Sequence, residues 1–218
     1  MRFVKALLGA ACLVALAPAG ALAQGTLGIK GGFNISTLSV DDPENPDFGF
    51  DDQTDFVVGA FLQCASSGWF ALQAEALYSQ NGAKAQGEEG EVTLNLNYLR
   101  VPVLLMARLA SRESPMYPIL YAGPQLAFQT RCQVTGEQDG VSQSLGCDDP
   151  ELEDPLETKK VEFGLVIGGG LEILFSRLTA QLDARYGLGL TNLNAAAPSE
   201  VSVKNRGWSF MLGVGIPL

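Results

Sequence analysis

The sequence predicts an all-β fold: an eight-stranded up-and-down antiparallel transmembrane barrel with short turns at one end and long loops at the other. Three observations predict it. First, Val161, Phe163, Leu165, Ile167, Leu171, Ile173 and Phe175 share one face of an extended strand, while Glu162, Gly164, Gly168, Gly170 and Glu172 share the other, because successive strand residues point to opposite faces. After Ser176-Arg177 the pattern resumes, with Leu178, Leu182, Tyr186, Leu188 and Leu190 apolar and Gln181, Asp183, Arg185 and Gly187 polar or small. A two-residue turn makes Phe175 and Leu178 partners on one face, so the two apolar stripes merge. Second, each arm exceeds the usual strand of about 5–6 residues and reaches the roughly 9–11 needed to cross a bilayer at a tilt. Third, eight such segments are joined by connections that alternate long and short, the pattern of barrels in lipid.

The segments follow in order. Strand one, about 26–36, turns Leu27, Ile29, Phe33 and Ile35 one way and Gly28, Lys30, Gly32, Asn34 and Ser36 the other. An acidic interval leads to strand two, about 56–65, with Phe56, Val58, Leu62 and Cys64 outward. Ser66-Ser67-Gly68 is a tight turn into strand three, about 69–83, which points Gln73, Glu75, Ser79 and Asn81 inward. In strand four, about 92–109, Leu94 and Leu96 share one phase and Leu99, Val101, Val103 and Leu105 the other. That break predicts a β-bulge near Asn97-Tyr98, after which Tyr98 and Arg100 point inward. Strand five, about 117–133, sends Leu120, Ala122, Leu126 and Phe128 out and Tyr121, Gln125, Gln129 and Arg131 in. Pro102 and Pro124 each remove a ladder donor, so bulges or bends are expected there. The longest loop, about 134–158, precedes the hairpin of strands six and seven, and a last loop, about 194–205, precedes strand eight, about 206–218.

Ahead of these segments, Arg2, Lys5, the apolar run 6–16 and Ala21-Leu22-Ala23 read as a secretory signal peptide cut before Gln24. Residues 1–23 are therefore expected to be removed and 24–218 to form one barrel domain. Removing 23 of 218 residues leaves 195, one domain's worth. No run of 18 apolar residues follows, so no helix is predicted to cross. A chain that crosses lipid on strands must close on itself, because no backbone group can stay unpaired in hydrocarbon.

After cleavage 12 basic residues face 24 acidic ones, a net charge of −12. Eighteen of the acids fall in three connecting intervals: seven from Asp41 to Asp55, three from Glu88 to Glu91, and eight from Glu137 to Glu157. Nucleic acid is excluded as a partner, since phosphate contacts need clusters of Lys and Arg. The segment Asp41-Asp42-Pro43-Glu44-Asn45-Pro46-Asp47 offers oxygen ligands but lacks the spacing and central glycine of a twelve-residue calcium loop. A solvated, self-repelling surface accounts for these acids, and bridging of divalent cations to lipopolysaccharide is the functional alternative.

The chain contains no histidine, so the general base of most hydrolases is missing. Glu162 and Glu172 share the inner face, but ten extended residues separate them by roughly 33 Å, too far for one acid–base pair. No enzyme, cofactor or metal is therefore predicted. The inward charges Lys30, Glu75, Arg100, Arg131, Glu162, Glu172, Asp183 and Arg185 either line an ion path or pair into a plug. Eight strands enclose about enough room for side chains alone, and isolated buried charges are costly, so the plug is preferred. Trp69, Phe70, Tyr117 and Phe175 at the turn end, with Tyr78 and Trp208 toward the loops, read as interfacial girdles. Cys132 and Cys147 flank one loop and can pair in an exported protein, whereas Cys64 sits on an apolar face as a small hydrophobe.

The stretches GIKGGFNIS, LNYLRVPVLLMARL, YAGPQLAF, FGLVIGGGLEI, LDARYGLGLTNL and GWSFMLGVGIPL resemble the small outer-membrane β-barrel proteins called porin-family or PorT-like, over nearly the whole chain after residue 23. The resemblance implies a monomeric eight-stranded barrel in a Gram-negative outer membrane, in contact with outer-membrane lipid and lipopolysaccharide and inserted by the barrel-assembly machinery. The terminal strand departs from the family's usual aromatic end, closing on Pro217-Leu218. The expected role is structural or surface interaction through a plugged barrel with acidic external loops. The alternatives are a narrow small-solute or ion channel, and a soluble lipocalin-like barrel with its apolar face inside.

Overall fold

The computed structural model describes residues 25–41, 53–67, 69–87, 90–109, 115–138, 141–147, 160–192 and 202–218. The segment 1–23 and most of the acidic intervals lie outside them. Nine strands are present among the described residues: β1 Gly25–Asp41, β2 Gln53–Ser67, β3 Phe70–Gly87, β4 Gly90–Arg108, β5 Met116–Gln138, β6 Val141–Gly146, β7 Val161–Leu174, β8 Thr179–Gly189 and β9 Ser202–Pro217. Eight of them close a barrel. Neighbours in sequence pair antiparallel from β1 to β5, β5 pairs β7, and β7 to β9 continue the meander. The seam is β1 against β9, from Thr26↔Pro217 to Asp41↔Ser202.

The face alternation is borne out, and it runs inside out relative to a water-soluble barrel. Ile29 is 71% exposed and Leu212 59%, while Glu172 on the lumen side is 0% exposed. A lipocalin-like reading needs the reverse, apolar in and polar out, so it is set aside. Phe175 N–H donates to Leu178 O at 2.7 Å, closing the two-residue turn.

Aromatic rings mark two levels on the outer wall. Toward the loops, Tyr186, Trp208, Phe210 and Phe33 form a run with ring centroids 5.1, 6.4 and 5.4 Å apart, and Phe56 and Tyr78 continue it at 6.1 Å. At the turn end, Trp69, Phe70 and Phe175 are exposed. Eight residues from Phe70 to Tyr78, at about 3.3 Å each and a tilt of about 40°, give roughly 20 Å of height, close to the ~25 Å apolar band of such barrels. Tyr117 does not belong to the lower ring: it is buried in the lumen.

The strands run further at the loop end than apolar alternation predicts. Gln53 and Thr54 extend β2 by pairing with Ser36 and Ile35, and β3 and β4 pair on to Gly87↔Gly90, where the sequence no longer keeps apolar residues in the outward phase. The same reason hid β6. Val141–Gly146 folds back on Gln133–Gln138 of β5 as a short ninth strand above the barrel, inside the predicted loop.

A bulge lies at Asn97-Tyr98 as expected, but its extra residue is on the facing strand, β5. The β3–β4 ladder passes through Ser79↔Tyr98 and Gln80↔Asn97 without a break. In the β4–β5 ladder, Tyr98↔Gln129 is followed by Asn97↔Arg131, so Thr130 is the extra residue. Its hydroxyl donates to Asn97 O at 3.0 Å. Leu96 therefore keeps the phase of Tyr98 and points inward, where the two pack with Ala127 and Cys132. Pro102 and Pro124 cost ladder pairs without displacing register: Ala74↔Val103 resumes at Leu77↔Arg100, and Pro102↔Gln125 resumes at Leu105↔Ala122. Of the bulges or bends expected at these prolines, no bulge forms, and the ladder is interrupted beside them instead.

Candidate functional site

Among the described residues, the fold brings chemistry-bearing side chains together in the lumen. Each strand contributes its polar phase, so side chains from far apart in sequence meet across a narrow space. They form three tiers along the barrel axis.

The middle tier holds Lys30 from β1, Glu75 from β3, and Asp183 and Arg185 from β8. Lys30 Nζ lies 2.8 Å from Glu75 Oε1 and 3.1 Å from Asp183 Oδ2. Arg185 grips both acids: Nη1 to Glu75 Oε2 at 2.6 Å and Nη2 to Asp183 Oδ1 at 3.0 Å. Gln73 donates to Glu75 Oε1 at 2.6 Å and the Tyr121 hydroxyl to Asp183 Oδ1 at 2.9 Å. Two bases meet two acids, so the tier is neutral. With every carboxylate oxygen of the tier accepting a hydrogen bond, a buried ion cluster escapes the penalty of uncompensated charge. Lys30 and Arg185 also sit over the rings of Phe61 and Tyr121, 5.1 and 5.3 Å from the centroids.

Glycines make room for this tier. A Cβ at Gly168 would lie 2.8 Å from both Arg185 Cβ and Tyr121 Cε2, and one at Gly213 would lie 3.2 Å from Lys30 Cβ. The bare strand walls opposite the charges let large side chains fill the lumen at this level.

At the turn end, Glu172 from β7 forms an ion pair with Arg108 Nη2 of β4 at 2.7 Å, off hydrogen-bonding geometry. Its other oxygen accepts from Gln63 at 2.8 Å and Gln181 at 3.2 Å. Gln181 also donates to Gln73 Oε1 at 3.2 Å, which joins this tier to the middle one. Beside it Ala71, Leu104, Met106, Tyr117, Ile119, Tyr121 and Val166 pack into an apolar core inside the lumen.

The loop end differs. Arg100 of β4 and Glu162 of β7 line a small polar gap with Asn34, Ser36, Asn205 and the glycines 187, 189 and 207, partly open to solvent and with room for about one water. No ion pair of Arg100 is found among the described residues. Above the gap, a disulfide joins Cys132 to Cys147, with Cα atoms 5.5 Å apart, and ties the β5–β6 hairpin to the barrel rim. Cys64 is a free, half-buried thiol on the outer wall.

Seven of the eight charges expected inside are therefore in the lumen, distributed over three levels. Arg131 is not: it is exposed on the outer wall, because the extra residue Thr130 reverses the facing of everything after it in β5. Arg108 was missed, although it continues the inward phase of Tyr98, Arg100 and Met106 to the turn end of β4. Glu162 and Glu172 occupy opposite tiers, as their separation along one strand requires.

Residues 23–195 match the family described as the outer membrane protein beta-barrel domain. No curated protein matches. Solved structures with the same fold include the outer membrane protein OprG from Pseudomonas aeruginosa, at 14% identity and a TM-score of 0.53, covering 89% of this chain and 96% of that one. Neisserial surface protein A is similar at 11% identity and a TM-score of 0.47, covering 88% and 97%. The outer membrane enzyme PagL is similar at 12% identity and a TM-score of 0.36, covering 89% and 99%.

Proposed function

This chain belongs to the outer membrane β-barrel domain family, and from that premise we propose that it is a plugged, non-conducting barrel whose role is structural or surface interaction at its loop end. One observation carries the reading: Lys30, Glu75, Asp183 and Arg185 bridge β1, β3 and β8 across the lumen as one neutral, hydrogen-bonded cluster. A path for ions would have to break it. The apolar core among Tyr117, Tyr121, Leu104 and Val166 closes the level below.

The remaining features of the reading come from the sequence. The finer resemblance is to the porin-family or PorT-like type. The acidic intervals of the sequence are the external loops of this reading, and their residues lie mostly outside those described. Outer-membrane lipid and lipopolysaccharide surround it, the barrel-assembly machinery inserts it, and it acts as a monomer without catalytic chemistry. A signal peptide of residues 1–23 directs export.

Single-channel recording tests the plug. Protein refolded in detergent and added to a planar bilayer is expected to give no current steps while its circular dichroism remains that of a barrel. Stable steps from the unaltered chain would overturn the plug in favour of the narrow channel.

A further inference from the structure

We propose that the outer wall along β9 holds a phosphorylated glycolipid of the outer leaflet, with Arg206 and Lys204 on its phosphate and the aromatic run below them against its acyl chains. The proposal rests on the membrane reading given above and adds a binding position to it.

Charge is sorted by face in this barrel. The chain is acidic, with 24 acids against 14 bases. Yet among the described side chains not one acid is exposed: Asp55, Glu75, Glu162, Glu172 and Asp183 are buried or half-buried. The exposed charges are basic, namely Arg131, Lys160, Arg177 and Arg206. Arg177 lies in a turn at the far end, and the other three lie at the loop end. A wall that meets lipid and carries only cations at its upper rim is matched to anionic headgroups.

The outward phase of β9 shows the match in most detail. From the loop end down it reads Lys204, Arg206, Trp208, Phe210, Leu212 and Val214. That is the order of layers in a leaflet: charge, interfacial aromatics, hydrocarbon. Residues two apart on a strand stand roughly 7 Å apart, so both long basic side chains reach one phosphate. The guanidinium offers a planar fork of donors that suits phosphate oxygens. Beneath it Trp208 lies 5.1 Å from the Tyr186 ring and 6.4 Å from that of Phe210, a continuous surface for hydrocarbon.

The protein leaves these cations open. Neither Arg206 nor Lys204 has an ion pair among the described residues. Arg206 stands opposite Thr37 of β1 and Leu188 of β8, and Lys204 opposite Ser39. The next pairs on the same face bring Ile35 and Tyr186, again uncharged. The nearest acid by register is Asp41, opposite Ser202, two residues beyond Lys204. A free phosphate would leave the aromatic run unused. A glycolipid uses both parts, because its chains continue down the face that its phosphate caps.

The chain has two tryptophans, Trp69 at the turn end and Trp208 two residues from Arg206. Trp69→Phe therefore leaves one reporter beside the proposed position. The full-length Trp69→Phe chain, refolded in zwitterionic micelles and checked for the heat-dependent gel shift of a closed barrel, is titrated with bisphosphorylated lipid A. The same glycolipid stripped of phosphate, and phosphatidylglycerol, serve as the other probes. A saturable change in Trp208 emission is expected with lipid A, and binding at least about 5-fold weaker with either other probe. Arg206→Gln in this background should weaken lipid A binding by about 5-fold, and Arg206→Gln with Lys204→Gln by roughly 25-fold. Arg177→Gln at the turn end should change nothing. Equal binding of the stripped glycolipid would overturn the proposal, as would an Arg206→Gln titration that matches its parent. Equal binding of phosphatidylglycerol would overturn it too, by reducing the patch to a general anionic surface. Current through the unaltered barrel would overturn the plug and leave this titration as it is, whereas a folded barrel that ignores lipid A would overturn this proposal alone.

Discussion

Glu75 and Glu162 are both buried carboxylates on lumen-facing strand positions, and they live in opposite circumstances. Glu75 receives Lys30, Gln73 and both terminal nitrogens of Arg185 within 3.1 Å. Among the described residues Glu162 Oε2 accepts no hydrogen bond, and Arg100 Nε across the same space donates none. The walls differ in the same sense. Beside Glu75 and Asp183, glycines are bare because side chains press on them, as Tyr121 and Arg185 do on Gly168. At the loop end the wall is mixed: a Cβ at Gly189 would collide with Glu162 Oε1, whereas one at Gly187 would meet only Gly207 O, at 3.9 Å. Glycine in a barrel wall thus marks either tight packing or room, and only the opposite wall decides which. The turn side of this lumen is a protein core made of ions and amides, and the loop end keeps polar atoms without a protein partner among the described residues.

Breaking the core should cost far more than altering the loop end. Glu75→Leu leaves Lys30 and Arg185 buried with one acid, Asp183, between them. Removing one partner from a buried ion cluster costs about 3–5 kcal/mol. The urea midpoint for unfolding from lipid vesicles should fall by the corresponding amount, whereas Glu162→Gln should shift it by a small fraction of that. Equal losses in the two variants would mean that the tiers do not differ in the way their contacts imply.

The disulfide extends the comparison above the rim. Cys132 and Cys147 are 15 residues apart in sequence, a loop whose closure contributes about 3 kcal/mol in the chain-entropy account. That constraint acts on the β5–β6 hairpin and not on the barrel wall. Cys132→Ser should speed amide exchange and protease cleavage over 133–147 while leaving the barrel's urea midpoint near its starting value. A midpoint that drops by the full amount would show the hairpin to be part of the cooperative barrel.

The barrel itself was legible because a bilayer imposes one rule on every strand: apolar out, polar or small in. Ile29, Leu212 and Ile167 are where that rule puts them. It stops applying at two places, and both produced errors. Above the apolar band the rule no longer governs the sequence, so β6 and the upper ends of β3 and β4 carry no outward apolar stripe. Inside the rim, apolar residues can also face inward, as Leu96 does; taking it as outward gave the extra residue at Asn97-Tyr98 to β4 in place of Thr130 of β5 and put Arg131 in the lumen. The set of inward charges followed from parity alone. Their partners did not, because the pairing of Lys30 with Asp183, 153 residues apart, depends on the register of every strand between them. The same holds for the loop-end gap, which exists only as a relation between Arg100, Glu162 and glycines on the facing wall.

Two glycines bring the comparison down to single methyl groups. A Cβ at Gly170, on the core side, would run into the backbone at Leu182 O and lie 2.9 Å from Asp183 Cα. Backbone cannot step aside as a side-chain tip can, so Gly170→Ala should destabilise by about 1–3 kcal/mol, the usual cost of overpacking. Gly187, on the loop-end side, has the same chemistry and the same strand setting but no atom closer than 3.9 Å to its missing Cβ. There the methyl group meets no resistance, and the unfolded chain loses conformational freedom that glycine would have kept. Gly187→Ala should therefore stabilise the barrel by about 0.4–1 kcal/mol. Opposite signs in paired unfolding curves would establish that one lumen is filled beside Gly170 and open beside Gly187. Loss of stability at Gly187 as large as at Gly170 would mean the loop end is packed like the core, and the gap would have to be given up.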